Sequence, residues 1–351
     1  MKTMLDYVLE YGQYDFDDKP FNDIDSLVLT QMIYLNYSSC IFLNETTLGD
    51  IINIYFHGKN PKRMKLGVIL PRKILDIAYV IKDSKRYKDL LVSDYLYVLK
   101  NDIQFCAMTI KIQDGISYLC LQGTDDTTAG WYEDLIGAFY FPYSSQSFAL
   151  DYVKNAITNN PNDKFYIGGH SKGGNLTSYS YLYLSDLEKE SIIKAYDFDG
   201  QGFPIKDGNY SGLDKLYKFR PYDSIIGRLM YSYYGHDVII KTTKKGVYAH
   251  DGTSWCIEED HFALAHKLNP KRTALVNNMT EFVSNFDESK KEAFVKDIGL
   301  YLASLKGKTL LEIRRHPVDD LIKYRMMSKD SRDIVRQLFK MFVKNYYTFL
   351  S

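Results

Sequence analysis

The pattern of apolar and polar positions changes character twice along the chain. Up to about residue 100 the apolar positions recur at helical spacing. Asn22, an N-cap candidate, precedes Ile24, Leu27, Val28 and Tyr34, which predicts a helix over 22–36, and 47–57 reads as another that Gly58 and Pro61 close. The stretch FCAMTIKIQDGISYLCLQG is instead rich in β-branched and aromatic residues around Asp114-Gly115, a two-residue hairpin turn signal, and predicts an antiparallel strand pair. From there the two patterns alternate: helix 146–158, strand 164–168, helix 173–189, then strands 193–198, 215–219 and 237–242. Such alternation predicts an α/β fold with a mostly parallel central sheet and flanking helices. Beyond about residue 270 the helical period returns and ends in one apolar stripe, Ile334, Val335, Leu338, Phe342, Tyr346 and Leu350. The expected organisation is a helical part (1–100), an α/β core (101–270) and a helical extension (271–351), packed as one unit.

Candidate chemistry sits at one strand-to-helix junction. Gly169-His170-Ser171-Lys172-Gly173 fits G-x-S-x-G between the strand KFYIG and a helix beginning near Gly173. A turn that tight strains the serine backbone and lifts its hydroxyl clear of the sheet edge, while Gly169 and Gly173 remove side chains that would collide. The helix N-terminus aims unpaired N–H groups, that of Lys172 among them, at an oxyanion forming beside Ser171.

A nucleophilic serine needs a base and an orienting acid, and in this architecture the chain order is Ser, then Asp or Glu, then His. Asp223 follows the strand KLYKF and is the first candidate acid, with Asp199, at the end of the preceding strand, as its rival. His250 follows the strand DVIIKTT in a loop, where a base must stand, and His261 and His266 are the alternatives; His57, His170, His236 and His316 lie elsewhere in the order. Thr124, where ISYLCLQ runs into Gly123-Thr124, offers a backbone N–H and a hydroxyl as the second oxyanion donor. Two aromatic clusters are candidates for the substrate pocket: Phe139, Tyr140, Phe141 and Tyr143 after the oxyanion loop, and Met230, Tyr231, Tyr233 and Tyr234 between acid and base.

Charge narrows the partners. Forty-four Lys and Arg balance 44 Asp and Glu, which removes the basic excess that a phosphate backbone demands, so no nucleic-acid partner is expected. Residues 271–351 hold 16 basic against 10 acidic residues, and a solvated helical face accounts for that bias. Asp6 and Glu10 interrupt the apolar stretch a secretory signal needs, and no run approaches the roughly 18 apolar residues of a membrane span, so the cytoplasm is the expected compartment, with peripheral membrane contact left open. Cys40, Cys106, Cys120 and Cys256 lack metal-site spacing and read as buried free thiols. The composition is unusual only in its 31 Tyr, which either build a core of hydrogen-bonded hydroxyls or line a site with mixed character.

In their order and spacing, LQGTDDTTAGWYEDL, GGHSKGGNLTSYSY, YDFDGQGF, FRPYDSIIG and AHDGTSW resemble the bacterial lipase-like α/β-hydrolases that are distantly similar to the class 3 (fungal triacylglycerol) lipases. The likeness extends over about residues 5–260. It implies an α/β-hydrolase fold, Ser171 as nucleophile, Asp223 as acid, and Thr124 with the Lys172 backbone as oxyanion donors. In the fungal lipases the base follows a further strand, which keeps His261 and His266 open beside His250. The implied activity is cleavage of a small-molecule or lipid-like carboxylic ester through an acyl-enzyme, with no metal or organic cofactor. Acyl transfer or thioester cleavage on the same residues, and a hydrolase-like scaffold without chemistry, are the alternatives.

Overall fold

Local capping starts the first helices where the apolar period places them. The computed structural model describes residues 1–38, 46–206, 210–232, 234–305, 309–313 and 317–347. The expected positions Cys40, Tyr233 and His316 lie outside that set, as do the side chains of Phe342, Tyr346 and Leu350. The chain opens with α1 (Met4–Tyr11), α2 (Asp23–Met32), α3 (Leu48–Phe56) and α4 (Lys73–Ile81). At α2 the Asn22 side chain accepts from the N–H groups of Ile24 and Asp25, and Asp25 accepts from the Asn22 N–H, so orphan donors at the helix start are satisfied reciprocally. The other Asp25 contacts are buried: Arg86 binds it through Nε at 2.8 Å, and the Tyr87 hydroxyl donates to it at 2.6 Å. This paired charge ties α2 to the segment that follows α4.

Sheet formation begins earlier than the hydrophobic pattern suggests. The segment expected to be helical throughout contains β1 (Val92–Leu99), an edge strand whose exposed Leu96 and Leu99 blur its alternation. It pairs with β2 (Gln104–Gln113), which turns at Asp114-Gly115 into β3 (Ile116–Leu121), both pairings antiparallel. Then follow α5 (Thr128–Ile136), α6 (Ser144–Asn159), β4 (Lys164–His170), α7 (Lys172–Tyr183), α8 (Asp186–Glu190), β5 (Ile192–Phe198), β6 (Leu216–Pro221) and β7 (His236–Ile240). The seven strands lie in chain order, parallel from β3 to β7. The helix expected over 173–189 breaks in two, because Ser185 caps α8 through a reciprocal bond with Glu188. A short pair, β8 (Ile257–Glu258) and β9 (His261–Phe262), precedes α9 (Pro270–Ser284), α10 (Glu288–Ser304), α11 (Leu310–Ile313), α12 (Pro317–Met326) and α13 (Lys329–Tyr347).

Alternation along β2 divides the core into two layers. Cys106, Met108 and Ile110 face the N-terminal helices, while Phe105 and Ala107 face α6 and α7. Tyrosines serve both layers: Tyr118, fully buried, bonds through its hydroxyl to Ser26 and Thr30 on α2, at 2.9 and 2.6 Å. Cys106, Cys120 and Cys256 are buried free thiols. A third cluster joins Phe139 to Val283, Phe286, Phe294 and Ile334, so α9, α10 and α13 pack beside the segment after α5. A mostly parallel sheet, covered on both faces and carrying a strand–turn–helix at the carboxyl ends of its strands, is the α/β-hydrolase fold. No described helix is long and apolar enough to cross a membrane.

Candidate active site

Ser171 occupies a tight turn at the carboxyl end of β4. Between β4 and α7 its backbone adopts φ +60° and ψ −127°, a conformation costly for any residue with a Cβ. Its N–H donates to the Phe198 carbonyl at 2.9 Å and its carbonyl accepts from Gly174, so β5 and α7 hold the strained residue from both sides. Glycine at 169 is required by close approach, since a Cβ there would stand 2.7 Å from the Gly173 Cα.

The nearest acid–base pair is His250 with Asp199. His250 ends a short 3₁₀ turn, Gly246–His250, after β7, and its Nδ1 lies 2.7 Å from Oδ2 of Asp199. Asp199 stands just past β5 at φ +55°, a left-handed conformation that Asp tolerates better than most residues. Its side chain is completely buried, and its other oxygen accepts from the Ser224 hydroxyl at 2.6 Å.

Asp223, the acid favoured by its place after β6, is bonded to other groups than His250. It accepts from Arg272 at 3.2 Å, from Asn269 Nδ2 at 2.7 Å and from the Gly246 N–H, bracing the start of α9 against the turn that carries His250. Burial works to raise its pKa, but Arg272, Gly246 and Asn269 together hold the carboxyl below its usual range. Of the alternative bases, His261 is exposed beside Asp260, His266 is exposed as well, and neither lines the cavity that Ser171 and His250 share.

His170, next to the serine, braces the histidine loop. Its Nε2 is 2.7 Å from the His250 carbonyl and its Nδ1 3.3 Å from the Tyr34 hydroxyl. A carbonyl only accepts, so Nε2 carries the proton and Nδ1 receives the tyrosine hydrogen. Burial, reinforced by neighbouring His250, pushes the His170 pKa down to about 3, so the ring is neutral. On the other side of the loop, Trp255 Nε1 donates to the Ala249 carbonyl at 3.0 Å.

The Gly123-Thr124 turn lies directly against the serine. A Cβ on Gly123 would come within 3.3 Å of the Ser171 Cβ, so this glycine permits the approach. The Thr124 hydroxyl donates to Asp134 at 2.6 Å, and Gln201 reaches the same carboxylate at 3.4 Å. Burial raises the Asp134 pKa above the usual carboxylate range, while Lys172 and the Thr124 hydroxyl work to lower it. Neither the Thr124 nor the Lys172 backbone N–H has a hydrogen-bond partner among the described residues. The Lys172 side chain turns away into the body, where its ammonium meets Gln104 and Glu133.

Ser171, His250, Thr124 and Asp134 all line one cavity of about 650 Å³, within the range of small-molecule sites. Its walls are mainly apolar. Val68, Ile69, Leu70 and Pro71 come from the segment before α4, Trp131, Leu135 and Phe139 from α5 and the turn after it, and Met279, Val283 and Leu338 from the C-terminal helices. Among the described residues no group of three or more His, Cys, Asp or Glu side chains is placed to hold a metal ion.

Residues 81–299 match the family described as Mbeg1-like, a span that includes the elbow, Asp199 and His250. The chain belongs to the Mbeg1-like family. Among solved structures, this Mbeg1-like chain is similar to the Lip2 lipase from Yarrowia lipolytica, with 10% identity over 63% of this chain and 80% of that one and a TM-score of 0.33. It is also similar to a triacylglycerol lipase from Penicillium expansum, with 14% identity over 51% of this chain and 82% of that one and a TM-score of 0.29. No curated protein shows a significant match.

The aromatic residues expected to shape the pocket of this Mbeg1-like protein divide. Phe139 and Met230 line the cavity. Tyr140, Phe141, Tyr143 and Tyr231 are engaged elsewhere. Phe141 packs on Tyr179 and Phe203, and the Tyr143 hydroxyl donates to Asn175 at 3.0 Å. Tyr231 pairs by backbone with Phe203 and reaches Ser284 with its hydroxyl, and Tyr140 joins the cluster around Phe139 and Phe286. Tyr234 is buried against Phe203 and Tyr210. The wall residues that were not anticipated, such as Gln31, Tyr34, Ile69 and Leu338, come from helical parts whose apolar spacing reads only as core.

Proposed function

We propose that the protein is a serine hydrolase that cleaves a carboxylic ester through an acyl-enzyme, with Ser171 as nucleophile, His250 as base and Asp199 as orienting acid. The observation that carries this reading is that Ser171, held at φ +60°, and His250, paired with the buried Asp199 at 2.7 Å, line the same apolar cavity. In the first half-reaction His250 Nε2 takes the Ser171 proton as Oγ attacks the ester carbonyl, and Asp199 accepts the Nδ1 hydrogen and stabilises the imidazolium. The free N–H groups of Thr124 and Lys172 hold the oxyanion, an interaction worth about 3–4 kcal/mol per donor in comparable sites. The imidazolium then gives its proton to the departing alkoxide. Water, deprotonated by His250, attacks the acyl-enzyme; the bond to Ser171 Oγ breaks as the imidazolium returns its proton to that oxygen, and the carboxylic acid leaves. The wide apolar lining supports a substrate with a sizeable hydrocarbon part.

The test is labelling with a fluorophosphonate probe beside Ser171→Ala, together with aryl esters of short to long chain. Labelling and turnover that both vanish in Ser171→Ala are the expected result. A folded wild-type protein that takes up no probe refutes the reading. Ser171-dependent labelling without ester turnover would direct attention to acyl transfer or thioester cleavage.

A further inference from the structure

The lysine that follows the serine has a part in the ester chemistry through its backbone N–H alone, yet its side chain is wholly buried, as is that of Glu133 opposite it. The ammonium has three hydrogens and three acceptors: the Gln104 carbonyl at 2.6 Å, Gln104 Oε1 at 2.7 Å and Glu133 Oε2 at 2.8 Å. Glu133 is equally satisfied, accepting from the Ser145 hydroxyl at 2.6 and 2.8 Å and from the N–H groups of Gln104 and Ser145. A buried pair in which every donor and acceptor is used is rigid, because each member has a single low-energy position.

The pair also lies in a closed circuit. Gln104 Nε2 donates to the Gly123 carbonyl at 3.4 Å and to Gln122 Oε1 at 2.9 Å, gripping the oxyanion turn from one side. Glu133 is followed on α5 by Asp134, which takes the Thr124 hydroxyl and grips the same turn from the other side. The path therefore runs from Thr124 through Asp134 and Glu133 to Lys172, and back through Gln104 to Gly123. Both free N–H groups beside Ser171, those of Thr124 and Lys172, stand on it. They come from separate elements, a loop after β3 and the first turn of α7; the β3–β4 ladder joins these elements as far as Leu121 and Gly169, and the circuit holds the residues just beyond it.

We infer that the Lys172–Glu133 ion pair, with Gln104, is a positioning device that sets the spacing of the two oxyanion donors. This rests on the serine-hydrolase reading above. An apolar side chain at 172 would fill the same space, but it could not register β2, α5 and the Gly123 turn against one another. Displacing a reacting group by about 1 Å costs about a hundredfold in rate, and removing one oxyanion donor costs a hundred- to a thousandfold.

The experiment compares wild type with Lys172→Met/Glu133→Gln, which removes both charges together, leaves both backbone N–H groups in place and strands no charge in the interior. Thermal unfolding, kcat and KM on an aryl ester, and the rate of fluorophosphonate labelling are measured on each. The expected result is a folded double variant with KM within about twofold of wild type, while kcat and the labelling rate both fall by about ten- to a hundredfold. A folded double variant with wild-type kcat overturns the inference and leaves the pair a purely structural one. If that variant does not fold, Gln104→Leu decides on the same readouts, since it cuts the link to Gly123 and leaves the ion pair intact: a wild-type kcat there overturns the inference. Wild-type protein that is not labelled at Ser171 fails at the earlier step, so the two failures are distinguishable.

Discussion

Two aspartates compete for the role of acid, and the substitutions Asp199→Asn and Asp223→Asn separate them. Asparagine at 199 is a mild change to the backbone, because Asn tolerates the left-handed conformation at φ +55° about as well as Asp does. Its effect on the imidazole is severe. The carboxylate accepts the Nδ1 hydrogen of His250 at 2.7 Å from a fully buried position. An amide there presents N–H to Nδ1 and moves the ring proton to Nε2, where it faces the serine and removes the base. In proteases of the same chemistry this exchange costs about 10⁴ in kcat, or about 5.5 kcal/mol of transition-state stabilisation. We expect a loss of 10³–10⁴ in kcat for Asp199→Asn with KM nearly unchanged.

Asp223→Asn disturbs a different balance. It weakens the pair with Arg272, in which both side chains are only 7% exposed, so the cost falls on stability, up to about 3–5 kcal/mol when a buried pair is broken. Activity per folded molecule should stay within about threefold of wild type. The assay is kcat on an aryl ester, normalised to fluorophosphonate-titrated sites, with a thermal melt of each variant. The assignment is refuted if Asp199→Asn keeps more than a tenth of wild-type kcat while Asp223→Asn loses a thousandfold.

Three further outcomes follow from the same geometry. Thr124→Val keeps the backbone N–H but takes from Asp134 its 2.6 Å partner, so kcat should drop about tenfold or more with little change in KM, as read by steady-state kinetics. Val283→Trp fills part of the cavity, and kcat/KM for long-chain aryl esters should fall about tenfold relative to short ones; an unchanged chain-length profile would place the acyl group elsewhere. His170 has its pKa depressed to about 3, so the stability linked to its neutral form is present above pH 6.5 and is lost as pH falls toward 3. By pH 4 that loss amounts to as much as about 3 kcal/mol, and urea unfolding of His170→Gln should show a flatter acid limb than wild type; parallel limbs would mean the ring titrates normally.

How much of this is written locally in the chain depends on how local its cause is. The elbow is local: a β-rich run, a Gly-x-Ser-x-Gly pentad and a helical run suffice to place Ser171, and His250 follows from its position after β7. The proposed acid is not local, because Asp199 and Asp223 each follow a parallel strand. What separates them is that Asp199 turns toward His250 at a positive φ, whereas Asp223 is occupied by Arg272 and Asn269 from a helix almost fifty residues on. Chain order alone favours Asp223, whereas the side chain His250 meets is that of Asp199. Strand β1 escapes notice for a related reason. Its partner β2 supplies the ladder, so its own alternation need not be strong, and two exposed leucines weaken it further. The tyrosine excess was legible as a number but not as a role: Tyr118 ties α2 to the sheet through its hydroxyl, and Tyr34 bonds to His170 while also lining the cavity.

The cavity joins parts of the chain with different relations to the family. Thr124, Asp134, Ser171, Asp199 and His250 all fall within the span that matches the Mbeg1-like family, and so do Gln104, Glu133 and Lys172. Part of the wall does not: Gln31, Tyr34 and the run from Val68 to Pro71 precede that span, and Leu338 follows it. An α/β-hydrolase sheet sets the reacting groups at its strand ends, but it leaves the space above those ends to be closed by other elements. Here that closure comes from the segment before α4 on one side and from α9 and α13 on the other. A side chain in these walls acts on the bound molecule through its volume, at about 1–3 kcal/mol per methylene accepted or excluded, and has no bond to the serine, histidine or aspartate. The helical ends of the chain thereby wall the cavity, and under the proposed function the shape of what enters depends on residues outside the family-matched span.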